Sequence, residues 1–578
     1  MTRENTGCVF EITQNPENAN KFMDTKDPKI QELNKPSENG EPVIKGIQHG
    51  DEQTTKLDLG LGYAAMLTVI DANSRTYIRW GYVDTKGGEQ QEVIIVDKDG
   101  NIDPTTPFLL DYEKITGIRV HKIEIDEITV QNATITELAS RINLLGGYHS
   151  YNHGILISRP NVVFNNVAHI IEGEILNNAP VKVDKDGLSY DVTDEGFSYS
   201  GGKILKDGRP YDGDDVKPFT GPSFSFLQIS NTHNVLVENC IFQGRVHYVE
   251  GTYDLGANTA NQIVYKNCKQ SNFFDTSPEF TRYGESTFPN LSTCWGIMGS
   301  NYTKNVHYVD SELTRFDAHA GVLNASVTGG KIGLVRLIGG GTFTLDGVEI
   351  YRPHHGTQPI QLREDYGATF YGTLIMKNVT IKDGKYSSDG KYGELTGIIW
   401  AAVSPSYHGY VTHFPNLIID NIDIETTSTE VPILSINTDA YSATNHWPSR
   451  CPIRDDVSNP DALFNFYYET KNPNIVEEDK ERFACLEGFK KVNKAPEMLA
   501  NGEYTVVDNG NEIYTVVAKG VKNVNPYQPP EFIEILNMKN KVNSSNKPLT
   551  LTIYDCNFFK NVEIRDADKV LKKVKAPK

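Results

Sequence analysis

Between about residues 131 and 430 the chain repeats one short pattern of apolar and polar positions. Two alternating apolar residues lead to an Asn or Asp-Gly corner, and a second short alternating run follows. Copies include Asn161-Val162-Val163-Phe164-Asn165-Asn166-Val167, Asn234-Val235-Leu236-Val237-Glu238-Asn239-Cys240 and Gln262-Ile263-Val264-Tyr265-Lys266-Asn267-Cys268. Later copies are Asn305-Val306-His307-Tyr308-Val309-Asp310, Gly341-Thr342-Phe343-Thr344-Leu345-Asp346-Gly347, Leu374-Ile375-Met376-Lys377-Asn378-Val379 and Leu417-Ile418-Ile419-Asp420-Asn421-Ile422. Alternation with period 2 predicts strands with one apolar face. Asn and Gly at the corners suit a left-handed backbone.

One such rung cannot bury its own apolar face. Stacked rungs build a continuous core and pair their backbone groups with the rungs above and below. The spacing between copies varies from ~16 to ~45 residues, which predicts constant strands joined by loops of variable length. Cys240 and Cys268 hold the same place after the corner Asn and are predicted to stack inside.

These rungs resemble the right-handed parallel β-helix of pectate-lyase-like proteins, a group of polysaccharide lyases, glycoside hydrolases and phage tailspikes. The resemblance covers roughly half the chain and carries fold better than chemistry. It implies an all-β, right-handed parallel β-helix with a small N-terminal β domain and a C-terminal β-rich extension. It also implies a homotrimer on a virion, in which other phage tail proteins are partners. Neither a Gly-Asp-rich opening segment nor a lyase catalytic signature accompanies it.

The remaining segments read differently. Residues 1–48 are polar and rich in proline, and predict an extended arm. Residues 49–130 predict a small β domain with strands over Leu61–Ile70, Thr76–Trp80 and Val93–Val96. Residues 431–545 break the repeat: a short helix is predicted over Glu477–Lys490, and Glu503–Val507 and Glu512–Val517 flank Asp508-Asn509-Gly510-Asn511 as a hairpin. Residues 546–578 predict a final rung and a solvated basic tail.

Composition narrows the partners. The net charge of −19 and pI near 5.3 oppose nucleic acid, which is bound by basic surfaces. No apolar run approaches the ~20 residues that span a bilayer. The start of the sequence lacks an apolar leader, which leaves release with a particle or a trimmed leader as routes to the outside. Seven cysteines without C-x-x-C pairs fit neither a disulfide scaffold nor a zinc site. No cofactor is expected, although Asp97-Lys98-Asp99-Gly100-Asn101-Ile102-Asp103 shares the alternating acids of a calcium loop. Its Gly stands at the fourth place and no Glu follows at the twelfth.

Candidate chemistry gathers between Tyr253 and Tyr366. Period 2 places Arg315, Asp317 and His319 on one outward strip, with Phe316 and Ala318 facing in. Stacking brings Asp254, Arg336, Arg363 and Asp365 toward the same flank, since groups two rungs apart are ~10 Å apart. A furrow along stacked rungs suits a chain-like ligand, and Trp295, Tyr253, Tyr366 and Gln361 would contact its sugar rings. Hydrolysis needs two carboxylates, for which Asp317 with Asp254 or Asp365 are candidates. Elimination from a uronate needs a cation, Arg315 or Arg363, and a base, His319 or Tyr366. The acidic balance favours hydrolysis, and Asp317→Asn is then expected to fold normally without turnover. The plain alternative is a salt bridge between Arg315 and Asp317 on a strand face.

The sequence thus predicts a tailspike-like protein of a virion or the extracellular space that binds, and cleaves by hydrolysis or elimination, a surface polysaccharide. A secreted bacterial polysaccharide-degrading enzyme and a non-catalytic adhesin are the other readings.

Overall fold

The computed structural model describes residues 8–15, 21–36, 40–76, 88–138, 151–172, 181–183, 190–192, 223–242, 253–270, 297–318, 320–352, 359–362, 370–383, 397–402, 412–426, 429–437, 486–492, 503–507, 513–518, 527–528, 531–537, 547, 550–555, 563–566 and 571–575. Its centre is a stack of parallel rungs. One ladder runs Tyr151–Ser158, Ser223–Ser230, Tyr253–Asn258, Ile297–Asn301, every step parallel. It continues beside Glu312–Asp317 into Lys331–Leu337, Ile360–Leu362, Ile399–Ala402 and Leu434–Asn437. A second ladder runs Val162–Glu172, His233–Glu238, Asn261–Lys266, Lys304–Val309, Val322–Thr328, Gly339–Asp346, Phe370–Lys377, Asn416–Asp420, Phe532–Leu536. The fold is a parallel β-helix, as the rung pattern predicts.

The corners are built as the Asn positions require. Asn166, Asn239, Asn267, Asn378 and Asn421 all have φ between 49° and 56°, a left-handed region that Asn enters through local hydrogen bonding. Their side chains link rung to rung: Asn267 Nδ2 donates to Asn239 Oδ1 at 2.7 Å and Asn421 Nδ2 to Asn378 Oδ1 at 2.9 Å. Gly347 serves the Asp-Gly corner at φ 66°.

One apolar core fills the coil, and Val162, Phe164, Val235, Val237, Ile263 and Tyr265 are each at most 1% exposed. An aromatic file threads it. Ring centroids lie 5.5 Å apart for Tyr265–Tyr308, 5.3 Å for Tyr308–Phe316 and 5.0 Å for Phe316–Phe343, within the range that favours edge-on contact. Cys240 and Cys268 are buried in the same core as free thiols that donate to backbone carbonyls.

Three sequence expectations change. The described parts of the expected extended arm over residues 1–48 are paired: Cys8–Thr13 runs parallel to Tyr151–Ser158 as the first rung, and Lys21–Asp24 pairs with Gly117–Lys122 of the small domain. Cys8-Val9-Phe10-Glu11-Ile12 is itself a short apolar run, and Ile12 joins the core of the coil, but the polar average of residues 1–48 masked it. The short helix fails over its described part, where Leu486–Val492 is a strand against Ile513–Ala518; the hairpin of Glu503–Val507 with Ile513–Ala518 forms as expected. The basic tail contributes Leu571–Lys575, a strand beside Thr550–Asp555. Thr76 closes the strand Ala65–Thr76, while Tyr77–Trp80 lie outside the described residues.

The small domain is a four-stranded sheet in the order Lys21–Asp24, Gly117–Lys122, Ala65–Thr76, Gly88–Val96. On it His121 is 4% exposed, and its Nε2 has no hydrogen-bond partner among the described residues. Burial, helped by the Arg119 charge, pushes its pKa down to about 4. The folded value lies below the unfolded value near 6.5, so the unfolded state takes up the proton first as pH falls. The stability is fully present above about pH 6.5 and is lost toward pH 4, by roughly 3 kcal/mol in all. Melting of the small domain is expected to show this acid sensitivity, and His121→Leu to flatten it.

Candidate functional site

The sequence places its candidates on the first ladder, and the structure settles several of their positions. Phe316 and Ala318 point into the core, both 0% exposed. Arg315 and Asp317 alternate to the opposite side of the strand, yet they are 2% and 0% exposed. The Arg315 guanidinium is paired with the Asp317 carboxylate. The expected open strip is therefore a buried ion pair at this point. Alternation gives the direction of a side chain from its own strand, and it says nothing of what lies over it.

The pair also acts on the core beside it. Burial foremost, with the Tyr265 and Asp317 charges adding, raises the Tyr308 phenol well above its usual range; Arg315 opposes this. Tyr308 is therefore a neutral core phenol.

Asp317, Arg336 and Gln361 form one register column: Asp317 stands opposite Arg336, and Arg336 opposite Gln361. Arg336 and Gln361 are half-buried, and Arg336 Nε donates to Gln361 Oε1 at 3.1 Å. The register continues from Gln361 to Trp400 and from Trp400 to Ser435. Trp400 was missed in the sequence, although Ile398-Ile399-Trp400-Ala401 carries an aromatic in an otherwise aliphatic strand. The signal was there; the rung to which it belonged was not.

Tyr253 and Asp254 begin the strand Tyr253–Asn258 on the same ladder, two strands before Asp317. Trp295, His319, Arg363, Asp365 and Tyr366 lie outside the described residues.

The small domain is joined to the coil through Lys304, 3% exposed at its side chain, whose Nζ lies 3.0 Å from Glu92 Oε2. The same ammonium reaches the Pro107 carbonyl and stands 5.7 Å from the Phe108 ring centroid. Glu92 further accepts the backbone N–H groups of Leu109 and Leu110, at 2.7 and 2.8 Å. Burial lowers the Lys304 pKa and Glu92 opposes it.

In the acidic loop of that domain, Asp97 Oδ1 accepts the N–H groups of Asp99 and Asn101, and its Oδ2 accepts the Asn101 side-chain amide. These bonds hold the Asp97 carboxyl below its usual range. Asp103 caps Thr105 in the same way. Asp97 and Asp103 are thus engaged in closing the loop, while Asp99 pairs with the adjacent Lys98 ammonium. Among the described residues no group of three or more His, Cys, Asp or Glu stands ready for a metal. No helix of the described residues is long and apolar enough to cross a membrane.

Parallel ladders, Asn corners and a single stacked core define the class: a parallel β-helix protein with a small β domain joined to its side. No family model matches the sequence, and no curated protein matches it. Among solved structures the chain is similar to the Gp54 tailspike of Acinetobacter baumannii bacteriophage AP22, in complex with A. baumannii capsular saccharide. That likeness has 8% identity and a TM-score of 0.37, over 90% of this chain and 61% of that one. This chain thus matches less than two thirds of the tailspike's length. It is also similar to a hyperthermoactive exopolygalacturonase from Thermotoga maritima, at 11% identity and a TM-score of 0.20, over 54% of this chain and 75% of that one.

Proposed function

We propose that this chain binds a polysaccharide along the first ladder of its β-helix, over the column of Arg336, Gln361 and the rungs that follow. The observation that carries this reading is the register. Side chains from strands far apart in sequence repeat at the ~4.8 Å rung spacing along one line, and a linear ligand of repeating units can meet such a line at several points. A host surface or extracellular glycan fits this reading, with the chain acting as a tailspike-like particle protein, trimeric as the sequence resemblance implies, or as a secreted protein.

Binding is favoured over cleavage through Asp317, because that carboxylate is shielded and already paired with Arg315. The test is a panel of neutral and acidic polysaccharides, read by surface binding, by reducing-end release and by the ultraviolet absorbance of unsaturated uronates. Saturable binding to at least one polymer is expected. Absence of binding across the panel overturns the proposal, and product release identifies an enzyme whose acid and base lie elsewhere on the flank.

A further inference from the structure

The two other buried or half-buried arginines with described side chains each hold a carboxylate. Arg159 pairs with Glu124 at 2.8 Å, and Arg315 pairs with Asp317. Arg336 differs. Its register neighbour Asp317 is engaged by Arg315, and Arg336 has no carboxylate partner among the described residues. Its only hydrogen bond there runs from Nε to Gln361 Oε1. That bond uses the Nε–H, and among the described residues the N–H groups of both Nη atoms make no hydrogen bond. Gln361 spends its oxygen in the same contact, so its amide nitrogen is also left as a donor.

The half-buried position therefore presents a fixed cluster made of donors alone. A guanidinium held by one edge has lost much of its rotational freedom before any ligand arrives, which favours a planar, two-point anion. A cation finds no acceptor in such a cluster, and a neutral hydroxyl can accept from it but brings no charge to the guanidinium.

From this geometry we infer that Arg336 and Gln361 form a subsite for an anionic substituent of the bound glycan, either a carboxylate or a phosphate or sulfate ester. This rests on the glycan-binding reading above and specifies the ligand it takes. It also modifies the expectation from net charge. The whole chain repels anions at long range, but ionic screening confines that repulsion to about a Debye length, ~8 Å at physiological salt, whereas the guanidinium acts at contact. Trp400, the next position in register, lies one rung beyond the anion point.

The experiment compares wild type, Arg336→Gln, Arg336→Lys and Gln361→Leu. The probes are uronate-containing, phosphate-containing and sulfated polysaccharides, each beside its carboxyl-reduced, dephosphorylated or desulfated form. Circular dichroism and thermal melting establish that each variant folds; Arg336 lies outside the core and its loss leaves no buried charge behind. Wild type is expected to prefer one acidic polymer over its neutralised form by about 10- to 100-fold, the worth of hydrogen bonds to a charged group. Arg336→Gln should erase that preference by weakening the acidic polymer more than its neutralised form, which loses only the uncharged part of the same contact. Arg336→Lys should keep part of it, and Gln361→Leu should weaken it. The polymer that shows the effect separates carboxylate from phosphate and sulfate. An Arg336→Gln variant with the wild-type ratio of acidic to neutral binding overturns the subsite and leaves the glycan reading standing. No binding by wild type to any polymer overturns both.

Discussion

Asp317→Ala is expected to destabilise the coil by about 3–5 kcal/mol, because it strands the Arg315 guanidinium in a site that excludes water. Both side chains are essentially unexposed, and they are paired with each other. Their mutual attraction offsets a desolvation cost that neither charge escapes alone. Asp317→Asn should show the same direction, since the amide is isosteric but uncharged. The sequence-based expectation that this variant folds normally is thereby replaced: lost binding or turnover in it would report lost folding. The double variant Arg315→Met/Asp317→Leu should recover most of the stability, because no lone charge is left inside. Amide hydrogen exchange over Glu312–Asp317 and Lys331–Leu337 is the measurement, as it reads local opening in a repeat structure whose unfolding need not be all-or-none. Wild-type protection in the single alanine variant would show that the pair adds nothing to the rung.

The second large effect concerns the joint between the small domain and the coil. Glu92→Ala removes the carboxylate that holds Lys304 and also caps the Leu109 and Leu110 N–H groups. It leaves a buried ammonium and two backbone donors without that acceptor. Each unsatisfied buried group costs about 1–3 kcal/mol and the charge more, so a loss of about 3–5 kcal/mol is expected. The failure should be local. Asn305 Nδ2 donates to the Thr105 carbonyl at 2.9 Å, and Leu109 packs over Gly340, so the same loop closes the joint. Limited proteolysis between residues 97 and 112 should then quicken, while the far rungs such as Asn416–Asp420 keep their exchange protection. Equal loss of protection at both ends of the coil would argue that the joint and the rungs unfold as one unit.

Much of the fold is legible in the residues, for local reasons. Period 2 at Val235, Val237 and Ile263, Tyr265 can be satisfied by a strand with one buried face, and Asn239 and Asn267 mark the corners because their side chains tolerate a left-handed backbone. Cys240 and Cys268 could be placed inside because they recur at one position of the rung. The first rung was hidden, because Cys8–Thr13 is one short apolar run inside a segment that is polar on average, and its partner Tyr151–Ser158 lies far along the chain.

For the candidate site, the sequence determined which side of the strand Arg315, Phe316, Asp317 and Ala318 take, since each residue's direction follows from its neighbours. Only the tertiary structure decided who stands next to whom. Asp317 meets Arg336, Arg336 meets Gln361, and Gln361 meets Trp400 across loops whose lengths differ, and no local rule counts a loop. It also decided that Arg315 and Asp317 are enclosed while Arg336 is only half-buried. Burial is a property of everything that packs around a side chain, and most of that comes from elsewhere in the chain.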